Sequence, residues 1–177
     1  MKRLLSLVIV AAGLLALQTQ PSAAQPGKPV AAVAMRDQSG ALVGSVTFTQ
    51  QDHSVAVHAN VWSMTPGFHG FHVHSLGICE GDFTSAGGHF NRASVNHANH
   101  DGDMTSLYVQ ADGSGTLRFE TDRFTVNDLF DADGSAVIIH ALPDNYANIP
   151  TRYVAEPDAM TLSTGDSGGR VACGLVE

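Results

Sequence analysis

Nine histidines stand in this 177-residue chain, and six of them fall between His69 and His100. In Phe71-His72-Val73-His74 two imidazoles sit at i and i+2, so on a strand both project from one face while Val73 points to the other. That spacing makes a ready pair of metal ligands. Downstream, His89, His97, His100 and Asp103 supply three imidazoles and a carboxylate, a donor set suited to zinc. His140 closes the apolar run Ala136-Val137-Ile138-Ile139 and reads either as an inward ligand or as a neutral core histidine. An all-imidazole group would suit Cu(II). One His-x-His pair alone is commonly incidental, and His53, His58 and His69 read as structural or solvent-facing. Six spaced histidines with an Asp are a stronger pattern.

The elements that must position these residues read as β. In Val55-Ala56-Val57-His58-Ala59-Asn60-Val61-Trp62 the odd positions are apolar and the even ones mostly polar, and Ser45 to Thr49 and Thr116 to Glu120 behave alike. Asp37-Gln38-Ser39-Gly40, Asp112-Gly113-Ser114-Gly115 and Asp131-Ala132-Asp133-Gly134 carry turn chemistry, and the second predicts a hairpin between Leu107–Gln110 and Thr116–Glu120. No stretch holds a helical period. Two regions escape the pattern, 75–102, rich in Gly, His and Asn, and 143–169, rich in Pro, Asp and Gly. Loops of that length in a compact domain point to function.

Lys2 and Arg3 precede an uncharged run from Leu4 to Leu17, and small residues stand before a cut after Ala24. This reads as a secretory signal peptide over 1–24, with one domain over 25–177. The apolar run is shorter than the about 18 residues a span needs, and no Cys near the cut could carry a lipid, so no membrane anchor is expected. Beyond the leader 7 basic residues face 17 acidic ones, so the charge falls from −8 to −10. That balance argues against nucleic acid as a partner. Export, to a periplasm or the medium, makes the lone pair Cys79 and Cys173 read as a disulfide rather than two separate buried thiols.

Three separated segments carry a family resemblance. Gly67-Phe68-His69-Gly70-Phe71-His72-Val73-His74, Thr84-Ser85-Ala86-Gly87-Gly88-His89-Phe90-Asn91 and Gly165-Asp166-Ser167-Gly168-Gly169-Arg170-Val171-Ala172-Cys173-Gly174 closely resemble, in order, the signature segments of copper/zinc superoxide dismutase. The likeness spans about Val30 to Val176. It implies an all-β fold, an eight-stranded antiparallel Greek-key β-barrel or sandwich with two long functional loops over the metals. It makes His72, His74, His89 and His140 the copper ligands and His89, His97, His100 and Asp103 the zinc ligands. His89 bridges the two. It makes Asp144 the carboxylate that orients ligand rings of both metals, His69 a support through the backbone, Arg170 the guide for the anionic substrate, and Cys79–Cys173 the internal disulfide. The implied reaction converts two superoxide anions to O2 and H2O2 as copper alternates between Cu(II) and Cu(I), with His89 and Arg170 as the catalytic residues. A homodimer is compatible with the resemblance.

Two departures stand out. Only Ala98 and Asn99 separate His97 from His100, a much shorter stretch than is usual in the family, which leaves a copper-only relative as the alternative. Residues 145–153 also replace the Lys- and Glu-rich run of animal enzymes, as in a bacterial subtype. A noncatalytic exported copper or zinc carrier would need the ligands but not Arg170. A zinc hydrolase would need a general-base Glu near the histidines, and no obvious one stands there.

Overall fold

The computed structural model describes Lys28 and residues 30–177, so the expected leader at 1–24 lies outside the described residues. The strands are β1 (Val30–Asp37), β2 (Leu42–Gln50), β3 (Val55–Val61), β4 (Gly67–His69), β5 (Phe71–His74), β6 (Leu107–Val109), β7 (Gly115–Thr121), β8 (Ala136–His140) and β9 (Arg170–Leu175), with one short helix, α1 (Thr161–Thr164). Seven strands form an antiparallel sheet in the order β5-β8-β9-β1-β2-β3-β7, and β4 pairs with β6. The chain leaves β3, crosses to β4, and returns to the free edge of β3 only with β7, which is the Greek-key crossing the resemblance implies. No helix among the described residues is long and apolar enough to cross a membrane.

The eight expected strands occur as nine segments because β4 and β5 are one run broken at Gly70. There the run changes partner, from β6 to β8. The Gly70 N–H donates to the Leu142 carbonyl at 2.9 Å, and its carbonyl accepts from the His140 N–H at 2.8 Å. A Cβ at Gly70 would stand 2.5 Å from the Ser167 hydroxyl oxygen, so the crossing point requires glycine.

The two-residue period decides the core. Val55, Val57, Ala59 and Val61 are buried while their even-numbered neighbours are only half-buried. Fully buried Phe48 meets Phe124 edge-on with ring centroids 5.9 Å apart. Burying a side chain of that size stabilises by roughly 1.5–3 kcal/mol.

The turn at Asp112–Gly115 closes as its residues predict: the Asp112 carboxylate accepts from the Ser114 N–H at 2.9 Å, and the Gln110 N–H donates to the Ser114 carbonyl at 2.7 Å. The strands beyond it do not ladder with each other. β6 pairs with β4 and β7 with β3, because each meets an edge left open by the crossing. Cys79 and Cys173 form the expected disulfide, with Cα atoms 5.8 Å apart, tying the first long loop to β9. It spans 94 residues of sequence, for which chain entropy gives about 4–5 kcal/mol.

Candidate metal centre

Alternation on β5 sends Phe71 and Val73 into the barrel core and leaves His72 and His74 on the opposite face. That face is the outside of the barrel, and the two long loops cover it. His72 pairs with Ile138 and His74 with Ala136, so His140, two residues beyond Ile138, emerges on the same face. A register shift between Ile139 and His140 sets His140 opposite Arg170. Of the two readings of His140, the structure selects company with the other histidines: its Nε2 lies 3.3 Å from Nε2 of His74.

The first long loop then folds back along the free edge of β5. Val73 donates to Gly102 at 2.9 Å and accepts from Phe90 at 2.9 Å, which places His89 opposite His74 and Asp103 opposite His72. A Cβ at Gly102 would run into the Val73 carbonyl, so glycine permits this approach. One ligand atom from each of His72, His74, His89 and His140 lies within 4.8 Å of the others. His89, His97, His100 and Asp103 meet the same condition. Asp103 Oδ1 lies 2.7, 3.0 and 3.2 Å from the Nδ1 atoms of His89, His97 and His100. The short 97–100 turn therefore does bring both its imidazoles to the cluster. His89 belongs to both groups, its ring centroid 4.1 Å from that of His72.

Asp144 joins the groups from the second loop. Nε2 of His72 donates to its Oδ2 and Nε2 of His97 to its Oδ1, each at 2.8 Å. Among the described residues, the buried Nδ1 of His72 has no hydrogen-bond partner, and that of His97, although 3.0 Å from Asp103 Oδ1, makes no well-aligned hydrogen bond. Buried ring nitrogens left so are costly, and a cation accepting their lone pairs would satisfy them. The donor set fits as well: four imidazoles suit copper, and three with a carboxylate suit zinc.

Charge sets His97 apart from the other histidines, whereas burial lowers loop-borne His100 as it lowers the strand-borne rings. Burial pushes His72 down to about 4 and His140 down to about 3, and holds His74 well below the usual histidine value. At His97 burial acts downward too, but the carboxylates of Asp103 and Asp144 outweigh it and raise the ring to about 9. Burial acts to raise Asp103 and Asp144, yet the histidines around each hold both well below the usual carboxylate range.

A cleft of about 510 Å³ opens over His74, His89 and His140, and among the described residues Arg170 is the one cation on its wall. The Arg170 guanidinium donates to the Phe83 carbonyl and, at 2.5 Å, to the Gly87 carbonyl. His69 Nδ1 lies 2.6 Å from the His140 carbonyl and its Nε2 2.8 Å from that of Thr65, bracing the strand behind the site. Reading the sequence missed several participants. Asp166, Ser163 and Met160 line the cleft, the carbonyls of Gly87 and Gly168 orient His74 and His140, and Tyr146 stacks parallel to His97. Of these Asp166, Gly87 and Gly168 stand within the signature segments, whereas Met160, Ser163 and Tyr146 do not.

The chain is similar to several known proteins. A copper-zinc superoxide dismutase of Mycolicibacterium paratuberculosis is 49% identical over 130 residues, 64% of this chain and 57% of that protein. One of Mycobacterium tuberculosis is 46% identical over 133 residues, 66% of this chain and 55% of that protein. The chain thus spans little more than half the length of these relatives. Among solved structures, a double mutant of a SOD-like protein from Bacillus subtilis matches with a TM-score of 0.67 at 31% identity, covering 81% of this chain and 95% of that one. The clock protein EA4 matches at 0.71 and 27% identity, covering 88% and 98%. The family model for copper/zinc superoxide dismutase (SODC) matches residues 42–176, and the chain belongs to that family.

Proposed function

We propose that this chain is a superoxide dismutase holding copper at His72, His74, His89 and His140 and zinc at His89, His97, His100 and Asp103. The observation that carries the reading is the membership of His89 in both clusters at the floor of the Arg170 cleft. Copper in that position supplies one-electron chemistry, alternating between Cu(II) and Cu(I) while one superoxide becomes O2 and the next becomes H2O2, and zinc supplies fixed positive charge.

Arg170 binds and orients the incoming anion. Its carbonyl partners, Phe83 and Gly87, fix the guanidinium plane, and its remaining N–H groups, which have no partner among the described residues, can make charge-assisted bonds to superoxide. Asp166 on the same wall opposes an anion, but it is tied up by Asn145 and Thr161 at 2.5 and 2.8 Å. His89 turns Nδ1 toward Asp103, so Nε2 is the nitrogen that takes up a proton and gives it to the departing peroxide, the second proton of H2O2 coming from solvent water. Asp144 fixes the tautomers of His72 and His97 by accepting from Nε2 of each.

Export belongs to the same reading, supported by the leader-like residues 1–24 and the Cys79–Cys173 bridge. A homodimer is compatible with the exposed, mutually packed Phe68 and Tyr108, and sedimentation velocity measures it. The test of function is superoxide decay followed directly after pulse generation. The copper- and zinc-loaded protein should consume superoxide catalytically, and Arg170→Ala should slow it at least about tenfold while retaining both metals. A fully loaded wild type without turnover would overturn the reading.

A further inference from the structure

The short His97–His100 turn raises a mechanical question, since two residues leave little chain with which to aim two imidazoles at one point. We propose that Arg123, reaching in from the segment after β7, is the positioning residue that lets this turn hold zinc; the inference rests on the zinc assignment above. A single nitrogen of its guanidinium, Nη1, donates to the carbonyls of Ala98 at 2.8 Å and His100 at 2.9 Å. The Ala98 carbonyl belongs to the 98–99 peptide and the His100 carbonyl to the 100–101 peptide, so the fork fixes the two peptides that bracket Asn99 and His100. The direction in which the His100 ring leaves the backbone toward Asp103 is thereby set. Within the turn, the Asn99 N–H donates to the Asn96 carbonyl at 2.9 Å and the His100 N–H to Asp103 Oδ2 at 3.0 Å.

Arg123 is itself held. Nη2 of Arg92 donates to the Arg123 carbonyl at 3.0 Å and to Asp101 Oδ1 at 2.8 Å, while its Nη1 stands 3.0 Å from Asp128. Asp128 is anchored by a reciprocal capping box with Thr125 at the start of a 3-10 turn. A continuous path therefore runs from that capped turn through Arg92 and the Arg123 backbone to the zinc-side ligands. On the other side the His97 N–H donates to the Leu162 carbonyl at 2.9 Å, so the turn is gripped from both sides. A guanidinium charge near a dication opposes metal binding. Its contribution here is geometric, exerted through carbonyl oxygens, which predicts that another donor at 123 restores part of what is lost.

Cobalt(II), whose visible absorption reports its coordination geometry, is the probe. Its affinity for the zinc-side cluster is measured by chelator competition in wild type, Arg123→Ala, Arg123→Lys and Arg118→Ala, the last removing the same charge from exposed β7. Arg123→Ala should bind cobalt about 10- to 100-fold more weakly, the usual cost of losing a group that orients ligands. Its band should shift while copper affinity at the strand-borne histidines is kept. Arg123→Lys should recover part of the affinity, and Arg118→Ala should match wild type. Wild-type affinity and spectrum in Arg123→Ala would overturn the proposal, as would parallel loss of copper, cobalt and metal-free melting temperature. A wild-type protein that takes up no cobalt would instead overturn the zinc assignment beneath it.

Discussion

His72, His74 and His140 stand on strands, whereas His89, His97, His100 and Asp103 stand on a loop, and the two groups are held by different physics. Ladder register places the first three: β5 pairs with β8 residue by residue, and Phe71 and Val73, buried on the opposite face, lock that register. The loop-borne four depend on backbone carbonyls, a glycine at 102 and side chains borrowed from elsewhere. The strand-borne rings lie in surroundings that favour neutral imidazole, and the loop-borne group surrounds a carboxylate. A sheet supplies precise positions for uncharged imidazole donors, and a loop can gather a charged set because its own carbonyls are open to bonding from outside.

The most severe way to break this contrast is to remove a strand-borne ring. His140→Ala should cost more copper affinity than the about 100-fold that bounds the loss of orienting groups. Superoxide consumption should vanish with it, while cobalt binding at the loop-borne cluster survives. Chelator competition for each metal reads both effects.

Asp144 is where the two regions meet, so Asp144→Asn should blur the difference. Losing the carboxylate that orients His72 and His97 should weaken both metals, by about 10- to 100-fold each, rather than one. An effect confined to a single metal would show that the clusters are independent.

The metal-free chain offers a milder test through pH. His72 and His140 have folded values near 4 and 3, below the roughly 6.5 of an unfolded histidine, so the folded state binds fewer protons than the unfolded one in that interval. Their contribution is present above pH ~6.5 and is lost as pH falls toward 3. His97, raised to about 9, has the opposite sign: its contribution is full below pH ~6.5 and is lost as pH rises through 9. The melting temperature of metal-free protein should therefore peak near neutrality, and His97→Gln should flatten the alkaline limb while leaving the acid limb. Differential scanning calorimetry across pH 4–10 measures both limbs. An unchanged alkaline limb would contradict the charge contrast.

The same division governed what could be read from sequence. The His72–His74 pair, the alternation of β2, β3 and β7 and the Asp-Gly turns are local patterns, and local patterns survive folding. The partner of β6 was not legible, because a tight turn specifies its own closure but not which strand edge lies free after a crossing. The break at Gly70 was equally silent, since it depends on Ser167 arriving from far along the chain. Around the metals, the side-chain types were visible and the family resemblance assigned them to copper and zinc. The carbonyls of Phe83, Gly87 and Gly168 were not, because backbone acceptors leave no mark in residue identity, and the roles of the arginines at 92 and 123 were not, because they depend on distant segments meeting in the fold.

The central claim is that one chain carries both kinds of site, and metal content tests it most directly. The protein, expressed with copper and zinc supplied and purified without chelators, should contain one copper and one zinc per chain by elemental mass spectrometry. Copper without zinc would contradict the loop-borne assignment, and zinc without copper would contradict the dismutase reading itself.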